Sequence, residues 1–560
     1  MASIYEDRPW LSLYPDWVPP DVETGSATAI GDFRNSAKAR PDAPAVYYFD
    51  HPISYGRIDQ LSDALAAAFR DFGLRAGDRI IVDLQNIPQF LIAAYAAWKL
   101  GIIVVPVNPM YKERELLYFC SDSGAKLFLT HDDIAASLDL AFLKDTQVER
   151  VLTTSALDFI PADAPCPEML KGVKRVPMAG CLDLMETLGK YEGQTVDLAE
   201  VSPDHTAYLT YTSGTTGQPK GAMNTHGSIA FSARVYQSVM RIDSGDVVLG
   251  VAPLFHVTGE VAHGAIAALA GIPVVLFYRF DPAEALRLIE HWKVTMTVAS
   301  ITVYIALMNH ADITQRNLSS FVKAYSGGAP VSNATVDRFK ELTGLMLHNV
   351  YGMTETNSPS HIVPLGKRAP VDPESGALSV GVPVPGAVSK IMDLDDHARE
   401  LAAGEVGEIV NRGPMIIPGY WNKPEETANA IKDGWLYSGD VGKMDENGWF
   451  YVVDRKKDLI IASGYKVWPR DVEDVLYQHP AVREAAVVGV PDAYRGETVK
   501  AFVALKQGQE SSVTPEEIIA FCKDRMAAYK YPRQVEIVAE IPKTLTGKFL
   551  RRALRDKEQA

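Results

Sequence analysis

Cysteine is scarce in this chain and never closely paired. The four cysteines, Cys120, Cys166, Cys181 and Cys522, show no C-x-x-C spacing, so neither a zinc site nor a disulfide framework is indicated. A reducing cytoplasm is the expected setting. Positive charge is also short: 55 Lys and Arg face 70 Asp and Glu, for a net charge of −15. That balance disfavours nucleic acid as a partner, although a local basic patch stays compatible with it. The opening MASIYEDRPWLSLYPDW lacks a basic stretch followed by an apolar run and does not read as a signal peptide. An uninterrupted membrane span is missing too. The most apolar window, FLIAAYAAWKLGIIVVPV from Phe90, is broken by Lys99 and Gly101 and reads as a buried helix, a tight turn and a strand. No G-x-G-x-x-G follows a strand-like run, so a dinucleotide site of Rossmann type is not supported. Internal repeats and low-complexity linkers are absent.

What the chain does have is a conspicuous loop. From Tyr211 to Met223 it reads YTSGTTGQPKGAM, with three glycines, four Ser or Thr hydroxyls and one lysine. HTAYLTY upstream alternates like a strand, and HGSIAFSARVYQSVM downstream has helical periodicity. Thr212, Ser213, Gly214, Thr215, Thr216, Gly217 and Lys220 suit phosphate binding between a strand and a helix. Glycines let backbone N–H groups crowd an anion, hydroxyls add donors, and the lysine adds charge. A flexible surface loop is the plain alternative, since the same residues favour turns. The Walker pattern G-x-x-x-x-G-K-[ST] is not present.

At 560 residues and 47% hydrophobic, the chain can bury several cores and should hold more than one domain. From about residue 45 to 350, β-rich runs such as GDRIIVDL, GIIVVPVN, AKLFLTH, DVVLGVAP, IPVVLF and VTMTVAS alternate with helical segments. In DPAEALRLIEHWK, Asp281 is placed to cap a helix and Pro282 to begin it. This is an α/β pattern of largely parallel sheets covered on both faces. A Gly/Pro-punctuated, β-prone stretch follows, a β subdomain at about 376–454, with Asn447-Gly448 as a hairpin signal. After VDRKKD the pattern resets to a small α+β domain. The expected division is 1–456 and 457–560. Trp10, Tyr14 and Trp17 near the start could touch a membrane surface, but packing across the domain is the favoured role.

The chain also contains PLFHVTG, SGGAP, YGMTETN, GYWNKPEET, GWLYSGDVG, VDRKKDLIIASGYKVWP and PKTLTGK. In this order and spacing they resemble the adenylate-forming superfamily of acyl-CoA synthetases, luciferases and peptide-synthetase adenylation domains. The last long motif, with RPWLSLYP and NPMYKERELLYF, is most similar to bacterial fatty acyl-CoA synthetases. The resemblance implies a large N-terminal domain of two α/β subdomains and a β subdomain, followed by a small mobile C-terminal domain. It also implies ATP, Mg²⁺ and coenzyme A as cofactor and co-substrates.

Roles carry over residue by residue as implications of that resemblance. Thr212 and Glu355 would reach Mg²⁺, since hard oxygen donors suit that ion. Thr354 would contact the α-phosphate, and Gly352 and Met353 would belong to the nucleotide-binding set. Tyr351 and the turn Gly327-Gly328-Ala329 would form the adenine slot. Asp440 would accept both ribose hydroxyls, being a two-oxygen acceptor, and Arg455 would add a polar contact. His256 would position the acid beside its pocket, which is expected near His256–Glu260, Ser300–Tyr304 and Tyr325–Ala329. Lys548 would be the catalytic lysine, Lys457 the hinge, and Ser463 and Gly464 would line the thiol channel. Read without the resemblance, Glu355 is a surface carboxylate, Asp440 a turn residue, His256 structural, and Lys548 one more exposed lysine. Ile461 stands where luciferases and plant phenylpropanoid ligases carry a lysine, which argues against luciferase-type oxidation.

The expected activity is ATP-dependent ligation of a medium- or long-chain fatty acid to coenzyme A through an acyl-AMP. Alternatives are an aryl- or cycloalkyl-acid CoA ligase, a stand-alone enzyme loading a carrier protein, and a catalytically dead binding sensor. Twelve residues follow Lys548 here, so a fused carrier domain is not expected. A homodimer and peripheral contact with the inner membrane face stay open.

Overall fold

The computed structural model describes residues 3–212, 218–455, 458–462, 465–492, 496–509, 513–543 and 549–559, with Arg455, Tyr465, Lys466, Asp471, Gly496, Arg552 and Gln559 described for their backbone only. Two large sheets dominate. One has seven strands in the order Leu182–Asp183, Arg150–Thr154, Leu127–His131, Arg79–Asp83, Ile103–Pro106, Thr206–Thr212 and Lys220–Thr225, all parallel until the antiparallel last pair. The other has nine, and its interior strands, from Leu347–Tyr351 through Lys323–Ser326 and Met296–Ala299 to Pro44–Tyr48, are parallel, with antiparallel edges. Continuous apolar runs explain this arrangement, because a strand buried on both faces has no polar side to alternate with. Residues Ile80 to Val82, for instance, are fully buried.

The apolar window folds as read: helix Pro88–Lys99 is buried throughout, Gly101 turns at a φ of +69°, and strand Ile103–Pro106 follows. Buried Lys99 is neutralised by Asp59 at 2.6 Å and Asp63 at 2.7 Å. In helix Pro282–Trp292 the Asp281 carboxylate accepts the Glu284 N–H at 2.9 Å, as its position predicts. Among the described residues no helix is long and apolar enough to cross a membrane.

Two expectations change. The Gly/Thr-rich loop does not join a strand to a helix. Strand Lys220–Thr225 follows it, pairing antiparallel with Thr206–Thr212 (Thr212 opposite Lys220), and helix His226–Val239 begins only after that. The apolar/polar alternation of KGAMNT is too short to stand out beside the longer helical period. The antiparallel β unit also begins later than 376. SVGVPVPGA gives Val382–Pro383 to the nine-stranded sheet, whereas the five-stranded antiparallel sheet is built from Val388–Met392, Gly407–Arg412, Ile431–Lys432, Trp435–Met444 and Phe450–Arg455. Gly448, at a φ of +95°, turns the hairpin between the last two strands.

The C-terminal region has its own sheet and its own core, which includes Val467, Leu476, Val487, Val503 and Ile518. It meets the β unit where the Arg470 N–H donates to Asp454 Oδ2 at 2.9 Å.

The N-terminal aromatics pack inward. Trp10 is fully buried edge-on against Phe450, at 6.1 Å between ring centroids, and sits where a Cβ on Gly448 would clash. The hydroxyls of Tyr5 and Tyr14 donate to the carbonyls of Leu401 (2.8 Å) and Pro383 (2.7 Å). Trp17 is more exposed, with the Arg241 guanidinium 5.3 Å from its ring centroid. The segment thus straps the β unit to the nine-stranded sheet. Trp10→Ala, which empties a filled cavity, should cost about 3–5 kcal/mol; a lowered melting temperature checks it, and an unchanged one would show the strap to be dispensable.

Candidate active site

Of the described residues singled out above, Thr212, Gly327 to Ala329 and Tyr351 to Glu355 lie at the carboxyl ends of parallel strands. Strand Leu347–Tyr351 ends on Tyr351, and its neighbour Lys323–Ser326 runs directly into Gly327, Gly328 and Ala329. Open α/β sheets bind ligands at this rim. Gly327 is imposed by close approach, since a Cβ there would stand 2.9 Å from the Val350 carbonyl oxygen. Gly352 is held more tightly still: its Cβ would lie 1.3 Å from the Ser358 carbonyl oxygen. The YGMTE turn therefore folds back on its own start, fastened by Ser358 N–H donating to the Met353 carbonyl at 3.2 Å. Thr354 and Glu355 occupy the short 3₁₀ turn Thr354–Thr356 inside that fold-back.

Asp440 comes from the β unit, on strand Trp435–Met444. The Tyr351 hydroxyl donates to Asp440 Oδ2 at 2.7 Å, so the residues expected to meet the base and the ribose touch each other. Gly439, at a φ of +71°, donates to a Glu408 oxygen at 3.0 Å, and the Asp440 N–H donates to Ser438 Oγ at 3.1 Å. Arg455 is the cross-strand partner of Asp440.

Glu355 is buried, and its Oε1 accepts the Tyr420 hydroxyl at 2.7 Å. Lys220 Nζ lies 4.8 Å from the Tyr420 ring centroid, within cation–π range. Burial and the neighbouring Glu355 both push the Tyr420 phenol well above its ordinary pKa, so it stays a donor. Behind this group Asn224, fully buried on strand Lys220–Thr225, donates to the Thr354 carbonyl at 3.0 Å and to Asn357 Oδ1 at 2.9 Å. Asn224 and Asn357 were not singled out from the sequence, and Tyr420 was seen only as a letter in GYWNKPEET. The partners just named lie at least 65 residues away, beyond the reach of local pattern.

Thr212 ends its strand half-buried, opposite Lys220. Ser213, Gly214, Thr215, Thr216, Gly217, Lys457, Ser463, Gly464 and Lys548 lie outside the described residues, and the Arg455 side chain does too. The flanks of the Lys548 loop are described: Lys543 bridges to Phe549, and Leu550 N–H donates to the Pro542 carbonyl at 2.8 Å. Arg551 then pairs with Glu473 at 2.7 Å and with Asp458 at 3.3 Å, which ties the helix after Lys548 to the residue after Lys457.

His256 caps the short helix Val257–Gly259, its Nδ1 accepting the Thr258 N–H at 3.3 Å. The chain continues as a π-helical turn, Glu260–Ala265, a geometry that recurs at functional sites. Both Glu260 carboxylate oxygens lie 3.0 Å from the Thr210 hydroxyl, two residues before Thr212.

Residues 33–421 match the family model described as AMP-binding enzyme, and residues 471–548 match that of the AMP-binding enzyme C-terminal domain. The chain belongs to the AMP-binding enzyme family. A long-chain-fatty-acid–CoA ligase of Bacillus subtilis is 37% identical, over 98% of each chain. One from Salmonella typhimurium is 34% identical, again over 98% of each. Among solved structures, the anthranilate CoA ligase AuaEII in complex with anthranoyl-AMP superposes with a TM-score of 0.83 at 26% identity, covering 96% of this chain and 98% of that one. The architecture of this AMP-binding enzyme is the one its resemblance implies, a large α/β N-terminal portion followed by a small C-terminal domain.

Burial pushes the Glu260 carboxyl up to about 8. In the unfolded chain it ionises near ~4.3, so this group's contribution to stability falls as pH rises between those values and then levels off. Asp83, buried and pushed up to about 7, acts in the same direction. Glu260→Gln should therefore raise the melting temperature by a few degrees at pH 8 and change it little at pH 5. Melts showing the same shift at both pH values would contradict a neutral Glu260.

Proposed function

We propose that this AMP-binding enzyme joins a medium- or long-chain fatty acid to coenzyme A at the expense of ATP, through an enzyme-bound acyl-AMP. The observation that carries the acid class is similarity over 98% of the chain to ligases named for long-chain fatty acids. In the first step the acid's carboxylate attacks the α-phosphate of ATP, forming acyl-AMP and releasing pyrophosphate. In the second the thiol of coenzyme A attacks the acyl carbon, forming the thioester and releasing AMP. Positioning and charge stabilisation do the work.

The adenine fits beside Tyr351 and the Gly327-Gly328-Ala329 turn, and Asp440 takes the ribose hydroxyls. The loop Thr212–Gly217 with Lys220 cradles the phosphates, and Thr354, Gly352 and Met353 face the α-phosphate. Glu355 and Thr212 offer the hard oxygens that suit Mg²⁺: among the described residues only one Glu355 oxygen accepts a hydrogen bond, which leaves the other available. Mg²⁺, when bound, offsets the charge of the triphosphate. His256, oriented by its hydrogen bond from the Thr258 N–H, shapes the entry of the acid.

Lys548 bridges the two approaching anions and stabilises the charge that builds between them. Domain 457–560 then turns about Lys457 relative to 1–456, withdrawing Lys548 and bringing Ser463 and Gly464 to the thiol channel, a hinge motion of the kind that reorganises sites between steps. The independent C-terminal core and the Arg551–Asp458 tie support movement as one body.

Pyrophosphate release measured with ATP, Mg²⁺ and coenzyme A across alkyl acids of increasing length and a few aryl acids should peak at long alkyl chains. A peak at aryl acids would keep the mechanism and move the substrate toward that of the anthranilate ligase; transfer only to a carrier protein would replace coenzyme A. Lys548→Ala should lower adenylate formation by at least about a hundredfold and largely spare thioester formation from supplied acyl-AMP. Equal loss of both half-reactions would refute the role given to Lys548.

A further inference from the structure

GYWNKPEET is a motif of the sequence to which the mechanism above gives no task. Its residues Gly419 to Trp421 run beside the strand that leaves the phosphate loop. Met223 N–H donates to the Gly419 carbonyl at 3.1 Å, Trp421 N–H donates to the Gly221 carbonyl at 2.8 Å, and Ala222 bridges antiparallel to Tyr420. The preceding residue pair is anchored too, since the Ile417 N–H donates to the backbone carbonyl of Glu355 itself at 3.0 Å. Tyr420 N–H donates to Thr427 Oγ1 at 2.9 Å, and with Ala222 and Ile417 Tyr420 forms a small separate apolar cluster. The Tyr420 side chain is therefore held at both ends of its backbone by the two elements whose functional residues it contacts.

Those contacts are of two kinds. The hydroxyl donates a hydrogen bond to one oxygen of Glu355, and the ring face receives the ammonium of Lys220. A carboxylate with one oxygen pinned by a phenol presents the other in a fixed direction. An ammonium lying over an aromatic face is likewise restrained without being neutralised by an acid. An aspartate or glutamate in place of Tyr420 would neutralise Lys220 and repel Glu355; an aliphatic residue would restrain neither.

We infer that Tyr420 is a positioning residue of the nucleotide site: its hydroxyl orients Glu355 toward the cation that accompanies ATP, and its ring orients Lys220 toward the phosphates. This rests on the roles of Glu355 and Lys220 given under the proposed function. It acts in the adenylate-forming step and leaves the thioester step alone.

The test uses the full-length enzyme, Mn²⁺ as a spectroscopic stand-in for Mg²⁺, and an ATP analogue with a non-hydrolysable α,β bridge. Electron paramagnetic resonance titration gives the affinity of the protein–analogue complex for Mn²⁺. Tyr420→Phe preserves the ring and its packing, and should weaken Mn²⁺ binding about tenfold, the scale of a hydrogen bond to a charged group, with nucleotide affinity in the absence of metal unchanged. Tyr420→Leu should in addition weaken metal-free nucleotide binding. Both variants should still make thioester from supplied acyl-AMP at the wild-type rate, which also reports that they are folded. Unaltered Mn²⁺ affinity in Tyr420→Phe, or equal damage to both half-reactions, would overturn the inference. Failure of the wild-type protein to bind Mn²⁺ with the analogue would instead overturn the reading of the site on which it rests.

Discussion

The side-chain amide of Asn224 joins the two large sheets at the point where their loops meet. It stands on the antiparallel edge strand of the seven-stranded sheet and donates to Thr354 and Asn357, which follow the last parallel strand of the nine-stranded sheet. A fully buried amide that lost these acceptors would pay the whole cost of its desolvation, so the seam has one low-energy register. With that register set, strand Lys220–Thr225 is held against the YGMTE turn. Asn357 extends the seam by donating to the Met415 carbonyl at 2.8 Å, which brings in the chain on its way to Tyr420. The backbone pays for this geometry locally: Asn357 and Ser358 both hold positive φ, at 48° and 82°, conformations that non-glycine residues keep only where surrounding contacts over-determine them.

The β unit shares one core with this frame. It touches the rim of the nine-stranded sheet through the Tyr351–Asp440 hydrogen bond, and its outer side is clasped by the N-terminal segment through Tyr5, Trp10 and Tyr14. An acid–thiol ligase that carries out two different reactions at one site needs a rigid nucleotide cradle and one movable part. The division of cores fits that need: one continuous core spans the two large sheets and the β unit, whereas the C-terminal sheet packs around a core of its own.

Much of the architecture was legible in the chain. Continuous apolar runs bounded by glycine and proline located the parallel strands, because burial on both faces removes the polar alternation that would hide them. Asp281-Pro282 located a helix start through cap chemistry that needs no distant partner. Reading failed where the pattern was short. KGAMNT is a strand because it pairs with Thr206–Thr212, and Val382–Pro383 belongs to the nine-stranded sheet because His361–Ile362 lies beside it; neither six nor two residues carry a periodicity that outweighs their surroundings.

By itself the sequence determined which chemical groups the protein owns and in what order: a glycine- and hydroxyl-rich loop with its lysine, a carboxylate in YGMTE, another in YSGD, and a lysine after TLTG. That is enough to mark a family, since backbone-cradled phosphates and oxygen-bound cations demand those residue types in sequence-local clusters. Only the tertiary structure decided which groups act together. That Tyr351 meets Asp440, that Tyr420 stands between Glu355 and Lys220, and that Asn224 sews two sheets into one site all depend on contacts between residues at least 65 positions apart. Such contacts exist only after the chain has buried its parallel sheets and brought their carboxyl ends to a common rim.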